Sequence, residues 1–229
     1  MFETNEIHDA RDVSMKLDRI RSFFNTATYW PSIDSQIGEY VKYLKGRVLN
    51  AGAGDRDISH LVEGELYNQD IPTGIHNKNI HIYSPLHEIP VEDDFFDAIV
   101  CNAVLEHVED PLRVMREFYR VMKKGGYLYL AVPFLQPEHL DPTDFQRFTK
   151  DGLQRIVETN HFEVVTIEGF LNVYHTVSWI MQEWLTSKQS VFYRALRYLI
   201  FPILRYQCKH SNAYVHRISS AYRVLARKA

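Results

Sequence analysis

Cysteine is scarce in this chain: only Cys101 and Cys208 are present. Neither belongs to a C-x-x-C pair, so the cysteines support no thiolate metal site and no redox motif. No stretch reaches the roughly 18 apolar residues that a membrane-spanning helix needs. Met1 to Arg21 is too charged for a secretory signal, so a cytoplasmic location is expected. Internal repeats and low-complexity linkers are missing as well. Acidic residues are absent from one whole region. Trp184 to Ala229 contains no Asp or Glu but holds Lys188, Arg194, Arg197, Arg205, Lys209, Arg217, Arg223, Arg227 and Lys228. All 29 acids of the chain therefore precede it. Such segregation points to an anionic partner at that end, either a membrane surface met peripherally or an anionic substrate.

What is present is globular in character. The 229 residues are 45% hydrophobic and 24% charged, enough for one domain with a proper core. The 14 Tyr and 13 Phe suggest an aromatic-rich pocket or interface. Residues 1–45 read as a helical cap: Ile7, Met15, Leu17, Ile20, Phe23 and Phe24 lie at helical spacing. A second helix is expected from Ser32 to Leu44, ending at Gly46. Short apolar runs then predict strands at Arg47–Asn50, Glu65–Asp70, Ile80–Tyr83, Phe96–Cys101, Tyr127–Val132, Glu163–Ile167 and Ala221–Ala226. A helix capped by Asp110, with Pro111 at its first position, is expected to bury Leu112, Met115, Tyr119 and Met122. Lys123 and Lys124 would sit at the negative end of its dipole, and Gly125-Gly126 would stop it. Thr149 can cap another helix reaching about Thr159. Strands alternating with helices imply an α/β fold, with a mostly parallel sheet covered on both faces. Residues 46–170 form the expected core. A helical insertion at 171–212 would precede the last strand at 213–229, all within a single domain 1–229.

In an open sheet of this kind, ligands bind beyond the carboxyl ends of the strands. The first such loop is Ala51-Gly52-Ala53-Gly54, whose glycines let backbone approach a ligand closely. Asp70, ending the second strand, can accept hydrogen bonds from a ribose diol. Alone, a G-x-G reads equally well as a tight strand-to-helix turn. A nicotinamide dehydrogenase is disfavoured, because Asp57 stands where the last glycine of G-x-G-x-x-G would fall.

Pro90 to Val108 reads P-V-E-D-D-F-F-D-A-I-V-C-N-A-V-L-E-H-V, and Asp110-Pro111 runs through Lys123-Lys124-Gly125-Gly126 to Pro133. Together with the loop after Val48, these stretches resemble the class I S-adenosylmethionine-dependent methyltransferases over about residues 46–170. The resemblance implies a Rossmann-like, seven-stranded sheet and S-adenosylmethionine as cofactor. It also implies roles by position. Asn50, Ala51, Gly52, Ala53 and Gly54 would wrap the methionine part, and Asp70 would bind the ribose. Ile71, Leu86 and His87 would lie about the adenine, while Asn102 and Ala103 would bound the methionine end. His107 would brace this loop rather than react.

Three positions depart from the family pattern. Asn50 replaces the acid that usually ends the first strand; an amide can accept a hydrogen bond but adds no charge. Arg56 stands at the third glycine position, where it could pair with the cofactor carboxylate. Ser84-Pro85 replaces the acid that reads the adenine amino group. These departures keep open a second reading, a catalytically inactive methyltransferase-like scaffold.

On the acceptor side, the segment Pro133 to Thr149 resembles an H-x-x-P-x-D-[YF]-x-R-[YF]-T loop in a small-molecule branch of the family. His139 is the general-base candidate, since an unperturbed imidazole titrates near neutrality. Asp144 and Arg147 read first as an ion pair shaping the loop and second as substrate contacts. Tyr174 and His175 could reach the same pocket, or simply pack within a helix. The expected reaction is methyl transfer to an oxygen or nitrogen of a small molecule, such as a sugar or secondary metabolite. Nucleic acid is not expected, because the rest of the chain is acidic. The aromatic and Arg-rich segment Phe192 to Tyr206 suits a membrane surface, an anionic substrate, or a lid or homodimer helix.

Overall fold

The computed structural model describes residues 26–72, 79–140 and 143–229. The helix expected from Ile7 to Phe24 lies outside the described residues. Among the described residues two compact units emerge: 31–170 with 219–229, and 26–30 with 171–218.

The first unit is the sheet. Its strands are β1 (Lys45–Ala51), β2 (Glu63–Asp70), β3 (Ile82–Tyr83), β4 (Phe96–Asn102), β5 (Met122–Pro133), β6 (Phe162–Phe170) and β7 (Ala221–Lys228). Their order across the sheet is β3-β2-β1-β4-β5-β7-β6. The strands from β3 to β5 pair in parallel, and β7 runs antiparallel between β5 and β6. The seven-stranded, mostly parallel sheet is thus the one expected. Side chains alternate along each strand and build a core on each face. Leu49, Cys101, Leu128, Leu130 and Val224 join one core, while Val48, Val100, Tyr129, Ala131 and Leu225 join the other. Strand order reverses at β1, which lies between β2 and β4, so the loops after these three strands converge at the switch point.

The helices differ from expectation in instructive ways. Helix α1 covers only Ile33–Ile37 and passes into a 3-10 turn at Gly38–Tyr43, because Gly38 takes the left-handed φ of 57°. Helix α2 (Pro111–Val121) is capped by Asp110 as expected, its side chain accepting from the Arg113 N–H at 3.1 Å. It buries Val114, Met115, Phe118 and Val121, whereas Leu112 is 40% exposed. It also ends before the glycines. Its last carbonyls are taken by the N–H groups of Asp94 and Phe95 and by the Lys228 ammonium, so Met122 is released into β5. Lys123 leaves the helix end and pairs with Asp97 at 2.8 Å, and Lys228 supplies the cation there instead. Helix α3 (Lys150–Thr159) is capped by Thr149.

The second unit holds α4 (Val173–Thr186) and α5 (Val191–His210), in the place of the expected helical insertion. The Asn172 side chain fastens their ends, accepting from the Tyr174 N–H and donating to the carbonyls of Cys208 and Ser211. Leu185, Phe201 and Ala27 form its small core. No helix among the described residues is long and apolar enough to cross a membrane.

Candidate functional site

The loop after β1 is held by residues at the end of β2. Gly52 and Gly54 both take left-handed φ angles, 62° and 52°. At Gly52 a Cβ would lie 2.5 Å from Val104 Cγ1, so the loop cannot close on β4 with any larger residue. The Gly52 N–H donates to Gln69 Oε1 at 3.0 Å, and the Ala53 N–H donates to the Gln69 carbonyl at 2.9 Å. The Gly54 N–H donates to Asp70 Oδ2 at 2.7 Å, and the Ile71 N–H donates to Asp70 Oδ1 at 2.7 Å. Asp70 is therefore oriented by backbone, and a carboxylate with about four lone-pair sites keeps capacity for a diol. A Cβ at Gly54 would meet nothing within 4 Å, so the loop opens onto space there.

Asn50 is buried at the end of β1, and its Nδ2 donates to Asn68 Oδ1 at 3.0 Å. Arg56 does not reach outward: its guanidinium donates to the carbonyls of Gly52 and Asn102, tying the loop to the end of β4. Asn102 is buried and donates to Gln36 Oε1 at 3.2 Å. Ala103 takes a left-handed φ of 53°, an uncommon conformation for a residue with a Cβ. Ile71 is 40% exposed and His87 is exposed, whereas Leu86 belongs to the core. Ser84 is buried, and among the described residues its Oγ has no hydrogen-bond partner.

A second cluster lies on the turn after β4. Val104 packs on Gly52, and two residues later Glu106 is fully buried with neither carboxylate oxygen hydrogen-bonded among the described residues. His107 Nε2 and His139 Nε2 each stand 3.7 Å from Glu106 Oε1, and the two rings meet edge to face at 5.0 Å. His107 Nδ1 faces the Thr143 carbonyl, which fixes that nitrogen as the donor. The Glu106 carboxylate holds the His139 imidazole above its usual pKa, against the burial that would lower it.

Asp144 and Arg147 form a two-pronged ion pair, and Arg147 also donates to the Pro137 carbonyl. Asp144 Oδ2 accepts from the His139 N–H at 2.9 Å. The pair thus staples the loop that carries His139, and the Arg147 guanidinium holds the Asp144 carboxyl down at about 2. Phe145 N–H and the Gln146 amide bond the carbonyls of Glu106, Leu105 and Val108, joining this loop to the Glu106 turn.

The first unit therefore holds every expected position from Asn50 to Arg147. Tyr174 and His175 lie in the second unit, at the start of α4. His175 is buried there, its Nδ1 within 3.0 Å of Asn172 Oδ1, and burial holds its pKa below the usual value. Sequence reasoning missed Gln69 and Glu106. Gln69 carried no signal, since its work depends on register. Glu106 stands openly in the L-E-H-V tetrad, but its complete burial was not readable there.

Residues 64–130, which include β2 to β4 and most of β5, match a family described as "Methyltransferase domain". Among curated proteins, the chain is 30% identical over 115 residues to the ubiquinone/menaquinone biosynthesis C-methyltransferase UbiE of Vibrio campbellii, covering 42% of this chain and 44% of that protein. It is 36% identical over 69 residues to UbiE of Proteus mirabilis, covering 30% of this chain and 27% of that one. The chain spans less than half the length of these relatives. Among solved structures, it resembles a SAM-dependent methyltransferase from Archaeoglobus fulgidus with a TM-score of 0.55 and 20% identity, covering 86% of this chain and 93% of the other. It also resembles the geranyl diphosphate C-methyltransferase of Streptomyces coelicolor, with a TM-score of 0.55 and 13% identity over 86% and 80% of the two chains. Residues 64–130 are thus similar to a methyltransferase domain, and the fold of the chain is that of solved SAM-dependent methyltransferases.

Proposed function

We propose that this chain is an S-adenosylmethionine-dependent methyltransferase acting on a small molecule. The observation that carries the reading is the Gly52–Gly54 cradle with Asp70 at its rim, on the switch point of the sheet. The residues present fit the cofactor. Gly54 opens onto space, Asp70 keeps acceptor capacity for the ribose hydroxyls, and the buried Ser84 Oγ offers a polar group where the adenine amine would lie. When bound, the cofactor supplies a methyl group already activated on a sulfonium. Ala51, Gly52, Ala53 and Gly54 follow its methionine part with backbone groups, and Asn50 and Asn102 flank it with amides. Ile71 and His87 are exposed beside the adenine position, while Leu86 supports it from the core. Ala103 sets the chain at the methionine end. The chain's remaining task is to align the acceptor, exclude water and manage its proton. His139, raised in pKa by Glu106, takes that proton, and Asp144 and Arg147 hold His139 in place. Calorimetric titration with S-adenosylmethionine tests the reading. Wild-type protein should bind one equivalent, and Asp70→Asn should weaken binding roughly tenfold or more. No binding by the wild type would favour the inactive scaffold.

The C-terminal charge has a second role in this proposal. Helix α5 exposes Val191, Phe192, Tyr198, Leu199, Ile203 and Tyr206, and Arg194 and Arg197 lie among them. Apolar side chains interleaved with arginines suit the surface of an anionic membrane, which is where we place this helix.

A further inference from the structure

We infer that Glu106, His107 and His139 form a binding site for one divalent transition-metal ion, and that this ion receives the acceptor's oxygen. The inference rests on the acceptor side of the proposed methyltransferase and deepens it. One ligand atom from each residue lies within 4.8 Å of the other two. A tetrahedral site with bonds of about 2.0–2.1 Å separates its ligand atoms by roughly 3.4 Å. The 3.7 Å between Glu106 Oε1 and each Nε2 needs a few tenths of an ångström of closure, and the two imidazoles, within 4.8 Å of each other, close further by rotating about their side-chain bonds.

His107 and Glu106 favour a cation, while His139 Nδ1 faces the Arg147 guanidinium at 3.4 Å, so a metal bound through His139 Nε2 displaces the proton that ring carries there. The Thr143 carbonyl can only accept, so His107 carries its proton on Nδ1. When the ring is neutral, its Nε2 lone pair faces Glu106 Oε1, acceptor against acceptor. A cation between them turns that opposition into coordination. A ring nitrogen whose partner N–H is held by a carbonyl is also the usual arrangement of a metal-bound histidine. Glu106 is fully buried, and neither of its oxygens has a hydrogen-bond partner among the described residues. The Arg147 guanidinium, 3.4 Å from His139 Nδ1, is engaged by Asp144 in a two-pronged pair. Two imidazoles and one carboxylate are a donor set that selects zinc or ferrous iron and leaves coordination positions open. The His139 side chain is 27% exposed, so the cluster is reachable.

The site sits beside the cofactor loop, since Val104 packs on Gly52 two residues before Glu106. An acceptor hydroxyl bound to the ion is acidified and loses its proton to solvent water. Its oxygen lone pair forms the new bond to the donor methyl carbon, and the carbon–sulfur bond breaks with its electron pair returning to sulfur. In the loaded protein His139 is a ligand, and the ion replaces it as the means of removing the proton.

The test uses chelator-treated full-length protein titrated with Co2+, then with Zn2+, without cofactor or acceptor. We expect one visible cobalt absorption band per chain, displaced by Zn2+. Glu106→Gln and His139→Gln, each checked for folding by circular dichroism, should weaken binding by more than about tenfold. Absence of the band in folded wild-type protein, or binding unchanged in both folded variants, would overturn the site. Calorimetry with S-adenosylmethionine on the same samples separates the two claims. Cofactor binding without metal binding sinks only the metal site, and metal binding without cofactor binding sinks the methyltransferase reading together with the ion's role toward the acceptor, leaving the metal site itself.

Discussion

His139 concentrates the residue-level chemistry. Its imidazole is drawn upward by Glu106 and pushed down by partial burial, and the carboxylate wins. In metal-free protein, a titration of His139 followed by NMR should therefore give a pKa above the ordinary value of about 6.5. Glu106→Gln removes the charge at almost unchanged volume and should move that pKa down. An unchanged value would mean that the carboxylate does not govern the ring. Gly52 makes a steric claim of the same kind. Its left-handed φ and the 2.5 Å approach to Val104 leave no room for a methyl group. Gly52→Ala should cost about 1–3 kcal/mol in urea denaturation and should also weaken cofactor binding. Gly54→Ala, where a Cβ meets nothing, should retain more stability than Gly52→Ala in the same experiment.

The His139 loop shows how one ion pair sets the shape of an element. Asp144 is lowered to about 2 by Arg147, against about 3.9 for an unfolded aspartate. A carboxyl depressed on folding stabilises the protein above its unfolded pKa, and that contribution fades as the pH falls toward 2. The expected share is roughly 2 kcal/mol, complete above about pH 5 and lost progressively between about pH 4 and about pH 2. Asp144→Asn should lower stability at neutral pH and flatten the difference from wild type in acid, as read by denaturation at several pH values. The strands were legible because buried parallel strands are short apolar runs, as in Phe96–Cys101 and Tyr127–Val132. The end of α2 was not. Lysines followed by glycines are a sound local stop signal, but Asp94, Phe95 and Lys228 cap the helix from distant parts of the chain. The loop proposed to hold the cofactor was legible as Gly52 and Gly54 before a strand-end Asp70. The Gln69 clamp and the Glu106 cluster depend on register and burial, which no spacing in the sequence reveals.

The whole molecule separates its charge along the chain, and the structure assigns part of it to internal work. Arg223 pairs with Glu168, and Lys228 caps α2, so both belong to the sheet. In the proposed reading, the exposed face of α5 is what meets the membrane. Sedimentation with vesicles of phosphatidylcholine and phosphatidylserine should carry the protein down, and binding should weaken as salt rises. Replacing Arg194 and Arg197 by Glu should abolish it. No binding, together with a dimer in analytical ultracentrifugation, would assign the face to a second copy instead. The account as a whole rests on where the methyl donor sits. The direct measurement is the two-dimensional NMR spectrum of backbone amides during titration with S-adenosylmethionine. The expected shifts fall on Gly52, Ala53, Gly54, Ile71, Asn102 and Ala103; a spectrum that stays still there, or moves only elsewhere, contradicts the account.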